Sequence, residues 1–341
     1  MNEYPTTLLA LAVLLLHITV ATTAVVHVLL HKRNSRAAFG WLGLILTFPF
    51  AGAILYALFG INRVERKAQQ LLTEGDSDKP EPLPRTKAAR KAAIECAGFN
   101  VTGEAPHPNI SVDVLLNGEQ AFPCMLDAID SAQREVLLST YIFDNDETGL
   151  SFLERLEAAQ ARGCQVCILV DDAGSRYSFP TIIRELKKRQ LAYRRFMPLK
   201  LIPPSFSINL RTHRKTLILD RCVTFAGGMN IGDRQLVQGP SPHRASDLHF
   251  RFSGPLTNDF VELFEADWIF SKGEPLEKWQ ADTDHSGDAD CRLISDGPDE
   301  NLDALTLVIM GAISCARRRV WIMTPYFLPE RQILVCLQAA A

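Results

Sequence analysis

The sequence predicts an α/β protein in which a mixed, mostly parallel sheet flanked by helices follows two membrane-spanning helices. Three observations lead to this prediction. Two long uncharged runs lie near the N-terminus, strand-type and helix-type segments alternate after them, and a segment of the first such unit recurs near the C-terminus. The alternation is typical of βα units, and the recurrence indicates a second, incomplete unit.

The composition excludes several classes of protein. The 341 residues include 36 Lys and Arg against 39 Asp and Glu, which gives a formal charge of −3. A globally basic nucleic-acid-binding protein is therefore excluded, and we expect no nucleic acid partner. The hydrophobic fraction of 47% and the charged fraction of 22% exclude a disordered chain.

Two N-terminal segments predict transmembrane helices. Thr6–Leu30 and Ala37–Phe59 contain no charged side chain, and each exceeds the roughly 30 Å of a bilayer core at about 1.5 Å per residue. A signal peptide is the alternative for the first run. The leader has no basic residue and the run is too long for a signal peptide, so we expect a multi-pass membrane protein. Its orientation stays open because both flanks carry equal numbers of basic residues.

The remaining chain divides by composition and pattern. Glu74–Lys87 is polar with three prolines and predicts a linker. We expect a two-helix membrane anchor at residues 1–68 and a linker with a lead-in helix at residues 69–108. A first α/β unit follows at residues 109–275, and the incomplete start of a second unit at residues 276–341.

Hydrophobic periodicity places the elements of the first α/β unit. Strand patterns lie at Ser111–Leu116, Val136–Phe143, Gln165–Val170, Leu191–Phe196 and Leu248–Phe252. Helix patterns lie at Ala121–Ala132, Gly149–Ala161 and Pro180–Arg189. Since helices separate the strands from Val136 onwards, we expect these strands to run parallel.

An internal repeat supports a second unit. Ala128–Phe143 aligns without gaps to Ala312–Phe327, and seven of the sixteen pairs are identical. The offset is 184 residues, so Ala341 falls in what we expect to be the next helix of the second unit.

Three residues form the spacing H-x-K-x4-D, namely His213, Lys215 and Asp220. On a strand, residues two apart project from the same face, so we expect His213 and Lys215 to face one ligand. An ammonium beside an imidazole disfavours a metal cation and favours a phosphate, so we expect no metal. The imidazole can attack phosphorus while the ammonium stabilises charge on the nonbridging oxygens.

A glycine-rich run follows at Thr224–Asn230. We expect its glycines, Gly228 among them, to let backbone N–H groups approach a phosphate, and Asn230 to donate a further hydrogen bond.

These motifs resemble the phospholipase D superfamily and, within it, the bacterial cardiolipin synthases. The resemblance covers nearly the whole chain and includes Trp41, Gly60–Arg63, Thr140–Phe143, Asp171–Ser175, Asn209–Lys215, Gly227–Asp233 and Thr324–Phe327. The resemblance implies a phospholipase D-like fold and a two-step transfer that needs neither metal nor cofactor.

The resemblance also implies roles for single residues. His213 would form a phosphohistidine, and Lys215 and Asn230 would bind the phosphate. Asp220 completes the catalytic motif, although we expect it to tie the strand to its surroundings. Asp247 is a candidate for the carboxylate that orients His213, and a surface loop acid is the alternative.

Members of this family carry two such motifs, whereas this chain carries one. Adding the offset of 184 to 213 gives 397, beyond residue 341. We therefore expect an N-terminal portion with half an active site, nearly inactive as a monomer, since general acid catalysis is worth about 10² to 10⁴ in rate. A homodimer that pairs two copies of the motif is the alternative.

The function that the resemblance implies is phosphatidyl transfer between two phosphatidylglycerol molecules, which yields cardiolipin and glycerol. The expected partners are these membrane phospholipids and the bacterial membrane itself. Two alternatives stay open: hydrolysis of the phosphodiester with water as acceptor, and a non-catalytic lipid-binding remnant.

Overall fold

The computed structural model of the chain describes residues 4–31, 35–60, 87–198, 212–281, 287–295, 304–324 and 327–341. Contacts divide the chain into two compact units, one covering residues 1–79 and 298–302 and the other covering residues 80–297 and 303–341. The expected linker up to residue 86 and the segment 209–211 of the phosphate motif lie outside the described residues. The finer domain boundaries stay predictions.

The first unit is helical. Its helices are α1 (Tyr4–His31), α2 (Ser35–Thr47) and α3 (Pro49–Leu55), followed by a π-helical turn at Tyr56–Gly60. The break between α2 and α3 falls at the proline, which starts α3 because a first-turn residue needs no N–H donor.

A small core joins these helices, formed by Val28, Ile45 and Tyr56. Within the described residues, no helix combines the length and the apolar character that a bilayer crossing requires. The two predicted spans stay predictions.

The second unit is built around one sheet. Its strands are β1 (His107–Leu116), β2 (Glu135–Thr140), β3 (Gln165–Asp171), β4 (Tyr193–Phe196), β5 (Thr216–Leu219), β6 (Val223–Gly227), β7 (Leu248–Ser253) and β8 (Ala289–Cys291). Its helices are α4 (Lys87–Thr102), α5 (Asn117–Ser131), α6 (Glu147–Ala161), α7 (Ile182–Lys188), α8 (Leu256–Phe270), α9 (Ala304–Cys315) and α10 (Arg331–Ala340).

The sheet is mixed, as predicted, but the expectation that it is mostly parallel is wrong. The strand order is β4-β3-β2-β5-β6-β7-β1-β8. Among the described strands, only β2–β3 and β3–β4 pair in parallel, and the other neighbours are antiparallel. The physical reason is the length of the connections: helices α6 and α7 allow parallel crossovers, whereas the short turn from β5 to β6 forces an antiparallel hairpin.

Both faces of the sheet are buried, which explains the uninterrupted apolar run in β2. Val136 and Leu138 project to the face covered by α5 and α6, and Leu137 projects to the opposite face covered by α8. Four α8 side chains at helical spacing are buried there: Phe260, Val261, Phe264 and Trp268.

The two copies of the internal repeat agree in their helices and differ in their strands, and the second unit stays a prediction. Helix α9 ends at Cys315, in the aligned counterpart of α5. The counterpart of β2, residues 319–324, is not a strand, and Trp321 and Met323 are 83% and 79% exposed. Strand β2 is paired by β3 on one side and β5 on the other. Residues 319–324 have no such neighbours among the described strands, so the same pattern does not form a ladder there.

Candidate active site

The motif residues His213 and Lys215 lie in the segment 212–215, directly before β5 and not within a strand as predicted. That they face one ligand stays a prediction, but both side chains approach the same aromatic ring. The His213 ring stacks on Tyr141 with centroids 4.2 Å apart, and Lys215 Nζ lies 5.5 Å above the same ring. One aromatic ring therefore brings the imidazole and the ammonium together.

Tyr141 takes this position because it directly follows β2, whose carboxyl end lies beside the start of the antiparallel neighbour β5. The sequence placed Tyr141 in a segment similar to the family but gave it no role. The available signal was its place at the carboxyl end of a buried strand, where sites form in α/β sheets.

A second residue that the sequence analysis did not select is Asp171, the last residue of β3. Its Oδ1 accepts the backbone N–H groups of Ala173 at 2.9 Å and Gly174 at 3.1 Å, which fixes the carboxylate at the strand end. The negative charge of Asp171 favours the protonated forms of both His213 and Lys215. It therefore opposes the lowering of their pKa values by other causes.

The net pKa values suit a nucleophile beside a cation. Partial desolvation of the exposed ring, and then the charge of Lys215, lower the pKa of His213 below its ordinary value of 6.5. Burial lowers the pKa of Lys215 to about 8, against the opposing charges of Asp247 and Asp171. At pH 7 the imidazole is therefore neutral and the ammonium charged, which is the state that attack on a phosphate requires.

Asp247 lies beside Lys215, whose pKa its charge raises. Its Oδ1 accepts the N–H of Leu248 at 2.7 Å, and no contact within the described residues joins it to the His213 ring. The structure therefore associates this carboxylate with the ammonium and does not place it against the imidazole. Asp247 directly precedes β7. Because β7 pairs with β6, Asp247 lies beside the end of β6.

Gly228 has a different role from the predicted one. Its N–H donates to the Leu248 carbonyl at 3.3 Å, so this group is engaged in the sheet and does not face a phosphate. A Cβ at this position would lie 2.5 and 2.6 Å from the two carboxylate oxygens of Asp247. The glycine is therefore required for the close approach of that carboxylate.

Asn230 is held beside the segment that follows β2. Its Oδ1 accepts the N–H of Ile142 at 3.0 Å, and the neighbouring Ile231 forms a bridge with Phe143. Because the carboxamide oxygen is engaged, a hydrogen bond to a ligand would come from the NH₂ end.

Asp220, the third residue of the motif, is not brought to the site. It follows β5 while Lys215 precedes it, a separation of about 16 Å along the strand. Its two oxygens accept the backbone N–H groups of Gln133, Arg134 and Glu135 at 2.7–2.8 Å. Asp220 therefore ties the hairpin to the start of β2, as the sequence analysis expected, and its place among catalytic residues is not supported by this geometry.

Comparison with protein families finds two matches. Residues 125–268 match the family described as "Cardiolipin synthase, PLD-like domain". Residues 20–60 match the family described as "Phospholipase D-nuclease N-terminal". The first match includes the whole of the site and most of the sheet.

Curated relatives agree with these matches. The cardiolipin synthase of Geobacillus thermodenitrificans is 29% identical over 326 residues, which cover 92% of this chain and 65% of the relative. The major cardiolipin synthase ClsA of Bacillus subtilis is 27% identical over 339 residues, covering 93% of this chain and 70% of the relative. The chain thus spans about two thirds of the length of these relatives.

A solved structure supports the fold. Phosphatidylserine synthase of Haemophilus influenzae superimposes with a TM-score of 0.52 at 13% identity, covering 72% of this chain and 63% of that one. Residues 125–268 therefore carry a phospholipase D-like domain, and most of the chain is similar to cardiolipin synthases.

Proposed function

We propose that the chain catalyses phosphatidyl transfer between two phosphatidylglycerol molecules in a bacterial cell membrane, giving cardiolipin and glycerol. The observation that carries this proposal is that the His213 imidazole and the Lys215 ammonium both lie over the ring of Tyr141. The names of the curated relatives support the choice of lipid, and the two uncharged N-terminal runs support the membrane location.

In the first step, a ring nitrogen of His213 attacks the phosphorus atom of phosphatidylglycerol. The N–P bond forms as the bond from phosphorus to the glycerol headgroup oxygen breaks, and that oxygen takes up a proton as glycerol leaves. Lys215 donates to a nonbridging oxygen and stabilises the charge of the transition state. Asn230 donates to the phosphate from its NH₂ end.

In the second step, the glycerol hydroxyl of another phosphatidylglycerol attacks the same phosphorus. Its O–P bond replaces the N–P bond, the hydroxyl proton is taken up by a base, and the imidazole is restored with cardiolipin as product. The two steps balance without a metal ion or an oxidant.

The proton for the leaving glycerol needs a second acid, because His213 is the nucleophile. A second copy of the chain, paired across a two-fold axis, would bring a second His213. Its ring is neutral in the free protein as well, so it would take up the proton when the anionic phosphodiester binds beside it. General acid catalysis is worth about 10² to 10⁴ in rate, so we expect the paired form to carry the activity.

The surface beside the site supports a substrate held in a bilayer. The ring of Tyr177 lies edge-on to Tyr141 at 6.2 Å, and Phe179 is 97% exposed. Asn145 anchors this loop by donating from its carboxamide to the Pro180 carbonyl at 3.0 Å. Exposed aromatic rings are enriched where proteins meet the headgroup region, so this loop suits contact with lipid next to the nucleophile.

Hydrolysis is the second candidate function, and the exposure of the His213 side chain favours it, since water can reach an adduct there. The acceptor distinguishes the two reactions. Transfer to lipid yields cardiolipin, whereas transfer to water yields phosphatidic acid.

A product assay tests the proposal. Monomeric and dimeric fractions of the chain, separated by size-exclusion chromatography in detergent, are each incubated with vesicles of labelled phosphatidylglycerol. We expect the dimeric fraction to release glycerol and cardiolipin in equal amounts and the monomeric fraction to be nearly inactive. Phosphatidic acid as the main product would favour hydrolysis, and vesicle binding without any product would contradict an enzymatic role.

The pH dependence of the transfer rate follows from the two lowered pKa values. Below the pKa of His213, which lies under 6.5, the ring is protonated and cannot attack, so the rate rises with pH through that value. Above the pKa of Lys215, at about 8, the amine is neutral and the rate falls. We expect a bell-shaped profile of kcat/KM with its maximum between these limits.

Lys215→Arg is the matched control, because a guanidinium stays charged across this range. We expect this variant to be slower than the parent protein at pH 7. We also expect the fall in its rate above pH 8, the alkaline limb of the profile, to disappear. An alkaline limb that persists unchanged in this variant would show that Lys215 does not cause it.

A further inference from the structure

The buried His249 has no role in the reaction described above. It lies on β7, it is 1% exposed, and neither of its ring nitrogens has a hydrogen-bond partner within the described part of the chain. Leaving a buried polar group unpaired costs about 1–3 kcal/mol, and such groups are few in folded proteins. This imidazole therefore indicates a partner that the resting arrangement does not supply.

The sheet register places His249 in one row with the phosphate-binding lysine. His249 pairs with Gly227 on β6, and Ala226 pairs with Thr216 on β5. Extending the second pairing by one residue sets Lys215 opposite Gly227. Residues paired across antiparallel strands project to the same face, so Lys215, Gly227 and His249 follow one another across three strands.

Gly227 provides the space in the middle of this row. A Cβ there would lie 2.7 Å from Nδ1 of His249 and 2.7 Å from the Leu248 carbonyl oxygen. We expected the glycine to bring its N–H to a phosphate, but the structure shows that its missing side chain admits the imidazole. With a neighbour spacing of about 4.8 Å, the row spans about 10 Å between the outer Cα atoms, which a lysine and a histidine side chain can bridge.

Charged, polar and aromatic groups from several strands of the sheet surround this row. Burial, and then the charge of Lys215, lower the pKa of His249 to about 4, so its ring is neutral and offers one acceptor nitrogen. The groups that act on Lys215 are Asp171 at the end of β3, Asp247 ahead of β7, and the Tyr141 ring after β2. His213, in the same segment as Lys215, accepts a hydrogen bond from Nζ through its backbone carbonyl at 2.6 Å.

We propose that His249 is a positioning residue for Lys215, which accepts a hydrogen bond from the ammonium when an anion occupies the site. An ammonium has three donors in fixed directions. With one directed at the His213 carbonyl and one at the His249 ring, the third is held towards a nonbridging phosphate oxygen. This inference rests on the proposed role of Lys215 in binding phosphate, and it deepens that role.

Two variants of similar volume separate an acceptor from a packing residue. His249→Gln keeps a carbonyl acceptor, whereas His249→Met fills the space without one. The pKa of Lys215 is measured on the full chain by NMR of ¹³C-labelled lysine, with the signal assigned through Lys215→Arg. Binding of inorganic phosphate is measured by calorimetry on the same samples.

We expect His249→Met to lower the pKa of Lys215 by about one pH unit in the presence of phosphate, and to weaken phosphate binding about tenfold. His249→Gln is expected to keep both values near those of the parent. If His249→Met does not fold, His249→Leu serves instead, because it also fills the space without an acceptor and is expected to cause the same downward shift.

Equal Lys215 pKa values in the parent, Met and Gln proteins would overturn the inference and leave His249 as a packing residue. This readout does not depend on lipid chemistry. If the pKa shifts as expected while the chain transfers no phosphatidyl group, the positioning role stands and the proposed reaction fails.

Discussion

Replacing His213 with asparagine is expected to lower phosphatidyl transfer by on the order of 10⁴-fold or more, the largest effect of any single change. The variant lacks the ring nitrogen that forms the N–P bond, and its carboxamide is not a nucleophile. Lys215 and Asn230 remain, so phosphatidylglycerol is still bound. The measurement is the initial rate of cardiolipin formation by the dimeric fraction on labelled vesicles.

The matched control is His243→Asn, which changes an exposed histidine in the loop before β7. We expect its rate to stay within about twofold of the parent, because surface substitutions away from special features have small effects. A His213→Asn rate close to the control rate would contradict the assignment of the nucleophile.

Replacing Asp220 with alanine is expected to lower the free energy of unfolding by about 4 kcal/mol. Hydrogen bonds to a charged acceptor contribute about 1.5–3 kcal/mol each, and the change leaves the N–H groups of Gln133, Arg134 and Glu135 without their acceptor. The following Arg221 limits the loss, since its buried bidentate pair with Glu135 continues to join the same two segments.

Urea unfolding in detergent, followed by circular dichroism, measures this loss. Asp127→Ala is the control, because this exposed aspartate on the adjacent helix α5 gives no comparable contact, and we expect a change within about 0.5 kcal/mol.

The milder Asp220→Asn variant tests whether Asp220 acts in catalysis as well as in the structure. We expect it to keep its activity per folded molecule, and full stability combined with lost activity would instead place Asp220 in the chemistry.

The sequence predicted the residues that lie close together along the chain and missed those brought together by the sheet. His213 and Lys215 were found through their spacing. Asp171 and Tyr141 were not selected, because they come from β3 and the end of β2, and their proximity to the motif depends on the strand order. That order could not be derived from periodicity, which is why the direction of most strands was also predicted wrongly.

The two glycines of the site are a second case: the sequence pattern identified them correctly, but the role assigned to them was wrong. The pair Gly227–Gly228 was identified as part of the site, and it does lie there. Its function was assigned to backbone N–H groups, whereas the structure shows that the missing side chains admit His249 and the carboxylate of Asp247. Such an effect depends on which strand lies next to β6, and this information is absent from local sequence.

The central claim is that a phosphatidyl group is carried on the imidazole of residue 213. Phosphatidylglycerol labelled at phosphorus is mixed with the dimeric fraction, the reaction is stopped within the first turnover, and the labelled peptide is identified by mass spectrometry. The account predicts label on the peptide that contains residue 213, bonded to histidine and lost in His213→Asn. The same amount of label in the His213→Asn protein would contradict it.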